Sequence, residues 1–181
     1  MRVLDVGCGP GTYVRALRAA GVDAVGVDMD AGLPEAGFLF RADILAEDFP
    51  VRFAGFDLAL CLEVAEHMPE PFADTLVRHV VATAPVVLWS AAQPGQGGVG
   101  HVNCRPREYW ADRFARYGYV VDEDGTARFL AWLRTGYHMG WLANNGMILR
   151  QFGALTFAEI EREEAPQAAR IAEYITSGGM A

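Results

Sequence analysis

The chain has 181 residues, enough for one domain with a sizeable core, and 52% of them are hydrophobic. Its formal net charge of −8 disfavours a long nucleic acid or an anionic membrane surface as a partner, and its longest apolar run, residues 80–92, is too short to span a bilayer. The three cysteines are odd in number and scattered, which favours reduced thiols in a cytoplasmic protein over a disulfide framework.

Strand-like and helix-like segments alternate along the chain. Strands are predicted at residues 1–6, 23–28, 37–41, 55–62, 84–90, 118–122 and 145–151. Helices are predicted at residues 12–20, 69–82, 106–116, 126–134 and 156–175. This alternation predicts an α/β fold in which crossover helices connect parallel strands.

The first strand runs directly into a glycine-rich turn. Residues 1–11 read MRVLDVGCGPG. From residue 7 onward every second residue of this string is glycine, and a helix is predicted directly after it. A strand–turn–helix of this kind brings backbone N–H groups and a helix N-terminus close to a ligand. Seventeen residues after Gly11, the second strand ends in Asp28, which can accept hydrogen bonds from both hydroxyls of a ribose. The two features together predict an adenosine-containing cofactor.

The details of the turn narrow the choice of cofactor. Thr12 stands where the dinucleotide fingerprint G-x-G-x-x-G has its last glycine, and the lysine of a phosphate-binding loop is absent. Asp5, just before the turn, suits a ligand that carries a positive ammonium better than one that carries a pyrophosphate. These residues favour an adenosine cofactor without a phosphate chain.

Four strings in order resemble the class I S-adenosylmethionine (SAM) dependent methyltransferases. VLDVGCGPG at residues 3–11 resembles the family's motif I, and VGVDMD, RADIL and FDLALCLEVAEHMPEP follow at the family's spacing. The resemblance is good over residues 1–121 and loose beyond. It implies a single domain over residues 1–181 with a Rossmann-like fold. Its seven-stranded, mostly parallel sheet would have an antiparallel last strand, and residues 122–181 would supply that strand and a helical cover.

The resemblance also implies a set of SAM-binding residues. The three glycines would pass under the methionine and ribose, with an acid before the turn near the ammonium. A second acid would bind the ribose, the RADIL segment would contact the adenine, and the backbone at the end of the fourth strand would complete the pocket. The residues in these places are Asp5, Gly7, Gly9, Gly11, Asp28, Met29, Asp43, Ile44, Cys61 and Leu62.

The string EVAEH follows the fourth strand. If it forms a helical turn, Glu63, Glu66 and His67 share one face and could bind Mg²⁺ or Mn²⁺, with His101 as a fourth ligand. The set resembles the metal site of the small-RNA 3′-terminal 2′-O-methyltransferases, and quinone O-methyltransferases share part of it. Such a metal would bind two neighbouring hydroxyls and lower the pKa of one. In the alternative, metal-free interpretation, Glu63 lies near SAM and His67 only faces the pocket.

The Gly-rich segment at residues 91–103 leaves the fifth strand at the edge where open α/β sheets bind ligands. We expect a lid over the substrate there, the alternative being a disordered connection. His101, in this segment, is a candidate general base as a neutral imidazole, or else a surface histidine bonded to backbone. His67 is the second candidate catalytic residue.

The next segment reads RPREYW and supplies candidate acceptor-binding residues. An arginine there could bind a phosphate or carboxylate, and an aromatic ring could form a wall against a sugar; the alternative is a solvated arginine pair beside packed aromatics. Part of this stretch resembles small methyltransferases from glycan and natural-product genes. The proposed acceptor-binding residues are Glu63, Asn103, Arg107 and Tyr109.

The leading hypothesis is therefore a SAM-dependent O-methyltransferase for a small hydroxylated acceptor such as a sugar or a natural product. The alternatives are metal-dependent 2′-O-methylation of an RNA 3′ end, which the acidic composition disfavours, and a non-catalytic SAM-binding partner subunit. The last is motivated by the first strand, which begins at residue 2 and leaves no preceding helix to close the pocket. We expect the C-terminal region or a second copy of the chain, in a homo-oligomer, to provide that cover.

Overall fold

The computed structural model describes residues 1–29, 37–136 and 140–152, and these ranges form a seven-stranded sheet flanked by helices. The strands are β1 Arg2–Val6, β2 Asp23–Asp28, β3 Leu39–Arg41, β4 Leu58–Leu62, β5 Val86–Ser90, β6 Tyr119–Val121 and β7 Met147–Gln151. The helices are α1 Thr12–Ala19, α2 Phe49–Arg52, α3 Ala73–Val81, α4 Arg107–Ala115, α5 Glu123–Gly136 and α6 Gly140–Asn145.

The strands lie in the order β3-β2-β1-β4-β5-β7-β6. Pairing is parallel from β3 through β5, and β7 is antiparallel to both of its neighbours. This confirms the predicted Rossmann-like fold with an antiparallel last strand.

Both faces of the sheet are covered. In β1, Val3 packs into one hydrophobic cluster, whereas Leu4 and Val6 pack into another on the opposite face, as the period of two in a strand requires. The larger cluster includes Leu76 of α3 and Trp110 of α4. Helix α1 lies against the smaller one, and α5 and α6 form a third cluster that contacts the end of β4. The nearly continuous apolar strands of the sequence follow from this two-sided burial.

Local chemistry explains where the helices differ from expectation. Helix α2 is only four residues long and includes Pro50, and α6 reads GWLANN, so neither has a strong helical pattern. The helix predicted at 69–82 begins later, at Ala73, because Pro69 and Pro71 confine the preceding residues to a 3₁₀ turn. The helix predicted at 156–175 lies outside the described residues. Within the described ranges, none of the helices is long and apolar enough to cross a membrane.

The carboxyl ends of the parallel strands meet at one edge of the sheet, which we call the ligand edge. Asp28 ends β2 there, and Gly7, Glu63 and Ala91 follow β1, β4 and β5. Because β7 is antiparallel, it begins at this edge, and its first residue pairs with the end of β5. The segment just before β7 therefore lies beside the segments that follow β4 and β5.

Candidate cofactor and acceptor site

The three glycines of the first turn are present for different reasons. Gly7, Gly9 and Gly11 all have positive φ angles, of 80°, 51° and 79°. A Cβ atom on Gly7 would collide with the branched side chain of Val64, and one on Gly11 would lie 2.8 Å from the end of the Leu39 side chain, which would have to shift. A Cβ atom on Gly9 would meet nothing within 4 Å in the described part of the chain. Of the three, Gly9 is the position where bare backbone is open to a ligand.

Asp28 is fixed over this turn. Its Oδ2 accepts a hydrogen bond of 2.8 Å from the backbone N–H of Gly9. The turn is tied to the same strand by the N–H groups of Gly7 and Cys8, which both donate to the carbonyl of Val27. Met29, next along the chain, is 57% exposed and extends from this side of the edge. The acid predicted to bind a ribose therefore lies directly beside the open part of the glycine turn.

The carboxylate of Asp5 lies in a buried environment in which a bound cation would stabilise it. Asp5 is 2% exposed, and its Oδ2 has no hydrogen-bond partner among the described residues. Burial raises the pKa of Asp5 to about 7, and the negative charge of Asp28 adds to the rise. An unpartnered buried carboxylate repels a pyrophosphate but is stabilised by an ammonium. This residue thus fits the methionine end of SAM.

The segment predicted to contact the adenine follows β3. Asp43 is exposed and its Oδ1 accepts a 2.8 Å bond from the N–H of Leu45, which closes a turn. Ile44 has a buried side chain, and its carbonyl accepts a 2.7 Å hydrogen bond from Nδ1 of His79. His79 is completely buried in α3, and its Nε2 has no partner. The sequence had given His79 no role, and the structure makes it the support of this segment.

The end of β4 does not continue into the expected helical turn. Cys61 is fully buried and Leu62 half-buried, so Cys61 could reach a ligand only through its backbone. Glu63 has a φ of 54°, in the left-handed region, and its N–H donates to the carbonyl of Ser90 at 3.0 Å. The predicted turn from residue 63 is therefore wrong, because the chain leaves β4 through a left-handed residue and only Ala65–His67 form a 3₁₀ turn.

Three of the four predicted metal ligands come together. Glu66, His67 and His101 each offer a ligand atom, and these atoms lie within 4.8 Å of one another; we call this group the Glu–His cluster. The rings of His67 and His101 meet edge to face, with centroids 5.0 Å apart. Glu63 is not part of the cluster, because its altered backbone directs the carboxylate to another partner.

Glu66 is the buried member of the Glu–His cluster. Its side chain is fully buried, and among the described residues neither carboxylate oxygen makes a hydrogen bond of good geometry. Burial raises the pKa of Glu66 to about 7; the nearby backbone N–H groups of Glu66 and Ala92 and the charge of His101 oppose the rise, and the negative charge of Glu63 adds to it. Such a carboxylate is poised to take up a proton or to bind a cation.

The loop after β5 carries His101 to the cluster. The N–H groups of Val102 and Asn103 donate to the carbonyl of Glu66 at 2.8 and 3.0 Å. Nδ1 of His101 lies 3.2 Å from the carbonyl of Gln96, and because a carbonyl can only accept, this contact puts the proton on Nδ1 and leaves Nε2 with a lone pair. A Cβ atom on Gly98 would collide with the His101 ring, so the glycine at this position makes room for the imidazole.

The other predicted acceptor-binding residues divide into two kinds. Asn103 is buried, and its Oδ1 accepts a hydrogen bond from Arg105. Within the ranges that the structure describes, Nδ2 of Asn103 and the buried Nε of Arg107, at the start of α4, have no partner. Tyr109 is covered by the guanidinium of Arg113, 3.6 Å from its ring centroid, and its hydroxyl donates to Glu70. Tyr109 thus matches the packed alternative, whereas Asn103 keeps a free donor beside the cluster.

Two residues at the ligand edge were missed by the sequence. Asn145, at the end of α6, donates from Nδ2 to the Glu63 carboxylate, at 3.2 Å to Oε1 and 3.5 Å to Oε2. Tyr13 lies in the first turn of α1; burial raises the pKa of its phenol to about 12, and the charges of Asp5 and Glu63 add to the rise. Both could have been suspected from topology, because Tyr13 follows the glycine turn and Asn145 precedes the antiparallel strand.

Known proteins similar to this chain are methyltransferases. Residues 1–84 match the family model described as a methyltransferase domain. The chain is 27% identical over 171 residues to a ubiquinone biosynthesis O-methyltransferase of Pseudomonas fluorescens (strain SBW25), covering 86% of this chain and 68% of that protein.

Two solved structures share the fold. The crystal structure of a SAM-dependent methyltransferase from Archaeoglobus fulgidus superposes with a TM-score of 0.56 at 17% identity, covering 65% of this chain and 60% of that one. The small RNA methyltransferase HEN1 gives a TM-score of 0.60 at 20% identity, covering 86% of this chain but only 24% of that one.

Proposed function

Because the chain belongs to the class I SAM-dependent methyltransferase family, we propose that it methylates a hydroxyl oxygen of a small acceptor such as a sugar or a natural product. One observation carries this proposal: the Glu–His cluster lies at the same ligand edge as the glycine turn. O-methylation requires removal of a hydroxyl proton, and this arrangement supplies a proton acceptor next to the expected cofactor. The similarity to O-methyltransferases is consistent with it.

The residues of the glycine turn would hold the cofactor. SAM supplies an electrophilic methyl group on a sulfonium. Asp5 would pair with its ammonium, which meets the need of a buried carboxylate that has no partner. Gly9 would leave room for the close approach, and Asp28 would accept hydrogen bonds from the ribose. Asp43 and Ile44 would border the adenine, and the backbone of β4 at Cys61 and Leu62 would close the pocket.

The Glu–His cluster would handle the proton. With Nδ1 of His101 bonded to a carbonyl, Nε2 is the atom that receives a proton from the acceptor hydroxyl. The resulting imidazolium would be stabilised by the carboxylate of Glu66, which is buried and close by. His67 is exposed at the mouth of the site and could contact the acceptor.

A metal-assisted version of the reaction is the second candidate. Its support is Glu66, whose buried carboxylate offers a ligand atom within 4.8 Å of ligand atoms of two imidazoles. One carboxylate and two imidazoles suit Mn²⁺ better than Mg²⁺, which prefers oxygen ligands. A divalent ion there would lower the pKa of an acceptor hydroxyl. The same chemistry would serve the 3′-terminal ribose of an RNA, although the net charge of −8 opposes an RNA substrate.

Turnover assays distinguish these possibilities. The protein is incubated with methyl-labelled SAM and with methyl α-D-mannopyranoside, 3,4-dihydroxybenzoate or a short RNA, and S-adenosylhomocysteine (SAH) is measured with excess EDTA or with Mn²⁺. The proposal expects SAH formation with a small acceptor, lost in His101→Ala. Activity that survives EDTA would remove the metal version, and SAM binding without turnover on any hydroxylated acceptor would contradict the proposal.

A further inference from the structure

Glu63 has an unusual backbone for a glutamate. Its φ of 54° lies in the left-handed region, which costs a residue with a Cβ atom of the order of 1 kcal/mol. The conformation is held by the hydrogen bond from its N–H to the carbonyl of Ser90 on β5. As a result the Glu63 carboxylate is set apart from the Glu–His cluster, although Glu63 lies only three positions before Glu66 in sequence.

The partner of that carboxylate comes from a segment that is distant in sequence. Asn145 ends α6 and lies two residues before the start of β7, whose first residue pairs with Trp89. Because β7 is antiparallel, its start lies at the ligand edge, and Asn145 reaches Glu63 across 82 positions of sequence. The amide nitrogen must face the carboxylate, since the opposite orientation would set oxygen against oxygen.

The pairing is costly for Asn145 as well. The residue is 1% exposed, and its Oδ1 is buried without a partner in the described part of the chain. A buried carbonyl oxygen without a hydrogen bond is destabilising. Thr126 offers a contrast: it is buried in α5, and its hydroxyl accepts a 2.9 Å bond from the N–H of Ile148 in β7.

Two locally unfavourable features therefore meet at the hydrogen bond between Asn145 and Glu63. A left-handed glutamate and a half-satisfied buried amide do not stabilise the fold, and features of this kind concentrate at functional sites. Glu63 itself is half-buried. A carboxylate has about four acceptor positions, so Asn145 leaves several for a ligand.

We propose that Asn145 is a positioning residue for the acceptor: it holds the Glu63 carboxylate out of the Glu–His cluster, so that Glu63 accepts a hydrogen bond from an acceptor hydroxyl instead of binding a metal ion. The inference rests on the proposed function. It gives the two acidic residues of the EVAEH string different roles: Glu66 belongs to the Glu–His cluster, and Glu63 binds the acceptor.

The test uses the full chain and two substitutions of Asn145. Asn145→Leu removes the donor, and Asn145→Asp keeps the shape but sets a second carboxylate against Glu63. Thr126→Val is the matched control, because it removes one buried hydrogen bond to β7 without touching Glu63. Measured quantities are the melting temperature, the Kd for SAH, and kcat/KM for mannopyranoside or 3,4-dihydroxybenzoate, whichever the wild type methylates faster.

We expect both Asn145 variants to lower kcat/KM for the acceptor about 10- to 100-fold, the range for a lost hydrogen bond to a charged group. The Kd for SAH should stay within about twofold of wild type, and Thr126→Val should lower the melting temperature without lowering kcat/KM. Because Asn145 acts through Glu63, the double variant Glu63→Gln/Asn145→Leu should be no slower than Glu63→Gln alone.

Three results would overturn the inference. The Asn145 variants could match Thr126→Val in activity, or the losses in the double variant could add. Glu63→Gln could weaken Mn²⁺ binding as much as Glu66→Gln does, which would make Glu63 a metal ligand. A wild-type protein that methylates neither small acceptor would instead contradict the proposed function, on which the inference depends.

Discussion

Replacing Asp5 with asparagine should stabilise the free protein and weaken cofactor binding. Burial raises the pKa of Asp5 from an ordinary 3.8 to about 7. In the folded state Asp5 therefore binds a proton more tightly than in the unfolded state. Its contribution to stability is fully present below about pH 4 and is lost as the pH rises to about 7. Above pH 7 this raised pKa lowers the free energy of unfolding by at most about 4 kcal/mol, since one pKa unit corresponds to about 1.36 kcal/mol.

Asp5→Asn removes this penalty but still buries an amide. We therefore expect the variant to be more stable than the wild type by about 2 kcal/mol at pH 8, which is half of that limit. With an m-value of about 2 kcal/mol/M, this moves the urea midpoint of unfolding up by about 1 M. The difference from wild type should shrink at pH 5, where the folded wild-type carboxyl is protonated. Asp112→Asn, an exposed change of the same kind on α4, should show no such pH dependence.

Calorimetry with SAH completes the experiment. If Asp5 pairs with the ammonium, Asp5→Asn should raise the Kd at pH 8 by at least about tenfold, because a charge-assisted hydrogen bond is lost. A variant that is no more stable than wild type at pH 8 would refute the interpretation of the buried carboxylate. An unchanged Kd would refute its assignment to the ammonium.

Three further predictions concern single residues. Gly7→Ala should unfold the protein or destabilise it by several kcal/mol because of the collision with Val64, whereas Gly9→Ala should fold and mainly raise the Kd for SAH; equal melting temperatures for the two would contradict this. His79→Leu should raise the Kd for SAH several-fold by freeing the carbonyl of Ile44, and His79→Gln should recover part of the affinity if the lost hydrogen bond is the cause. Glu66→Gln should weaken Mn²⁺ binding at least about tenfold in a titration followed by electron paramagnetic resonance, and equal affinity would remove the metal from the Glu–His cluster.

Much of the fold could be predicted because its signals are local. The apolar strand, the glycine turn and the following helix lie within the first 20 residues, and the later motifs resemble a known family at the same spacing. The turn after β4 could not be predicted in this way. A helical pattern was present from Glu63, but the N–H of Glu63 is bonded to the carbonyl of Ser90 on β5 and its backbone is left-handed, so a helical turn cannot begin there. Tertiary pairing overrode local preference there.

The residues that sequence analysis did not identify form hydrogen bonds with residues that lie far away in the sequence. His79 supports Ile44 from 35 positions away, and Asn145 holds Glu63 from 82. Neither belongs to a motif, and both are ordinary members of short or amphipathic helices by composition. Only the predicted reversal of the last strand carried a signal, since it places the start of that strand at the ligand edge.

The two buried acids at the ligand edge share one electrostatic property, which is a pKa raised by burial. Asp5 and Glu66 each have a pKa raised to about 7 by burial, and Asp28 and Glu63 respectively add to the rise. In the free protein these groups make folding less favourable as the pH rises from about 4 to 7. A bound cation relieves the same penalty, so its affinity should rise over the range in which the stability of the free protein falls. Opposite pH dependences of stability and cofactor affinity would follow from one cause: carboxylates that are buried where a positively charged ligand is to bind.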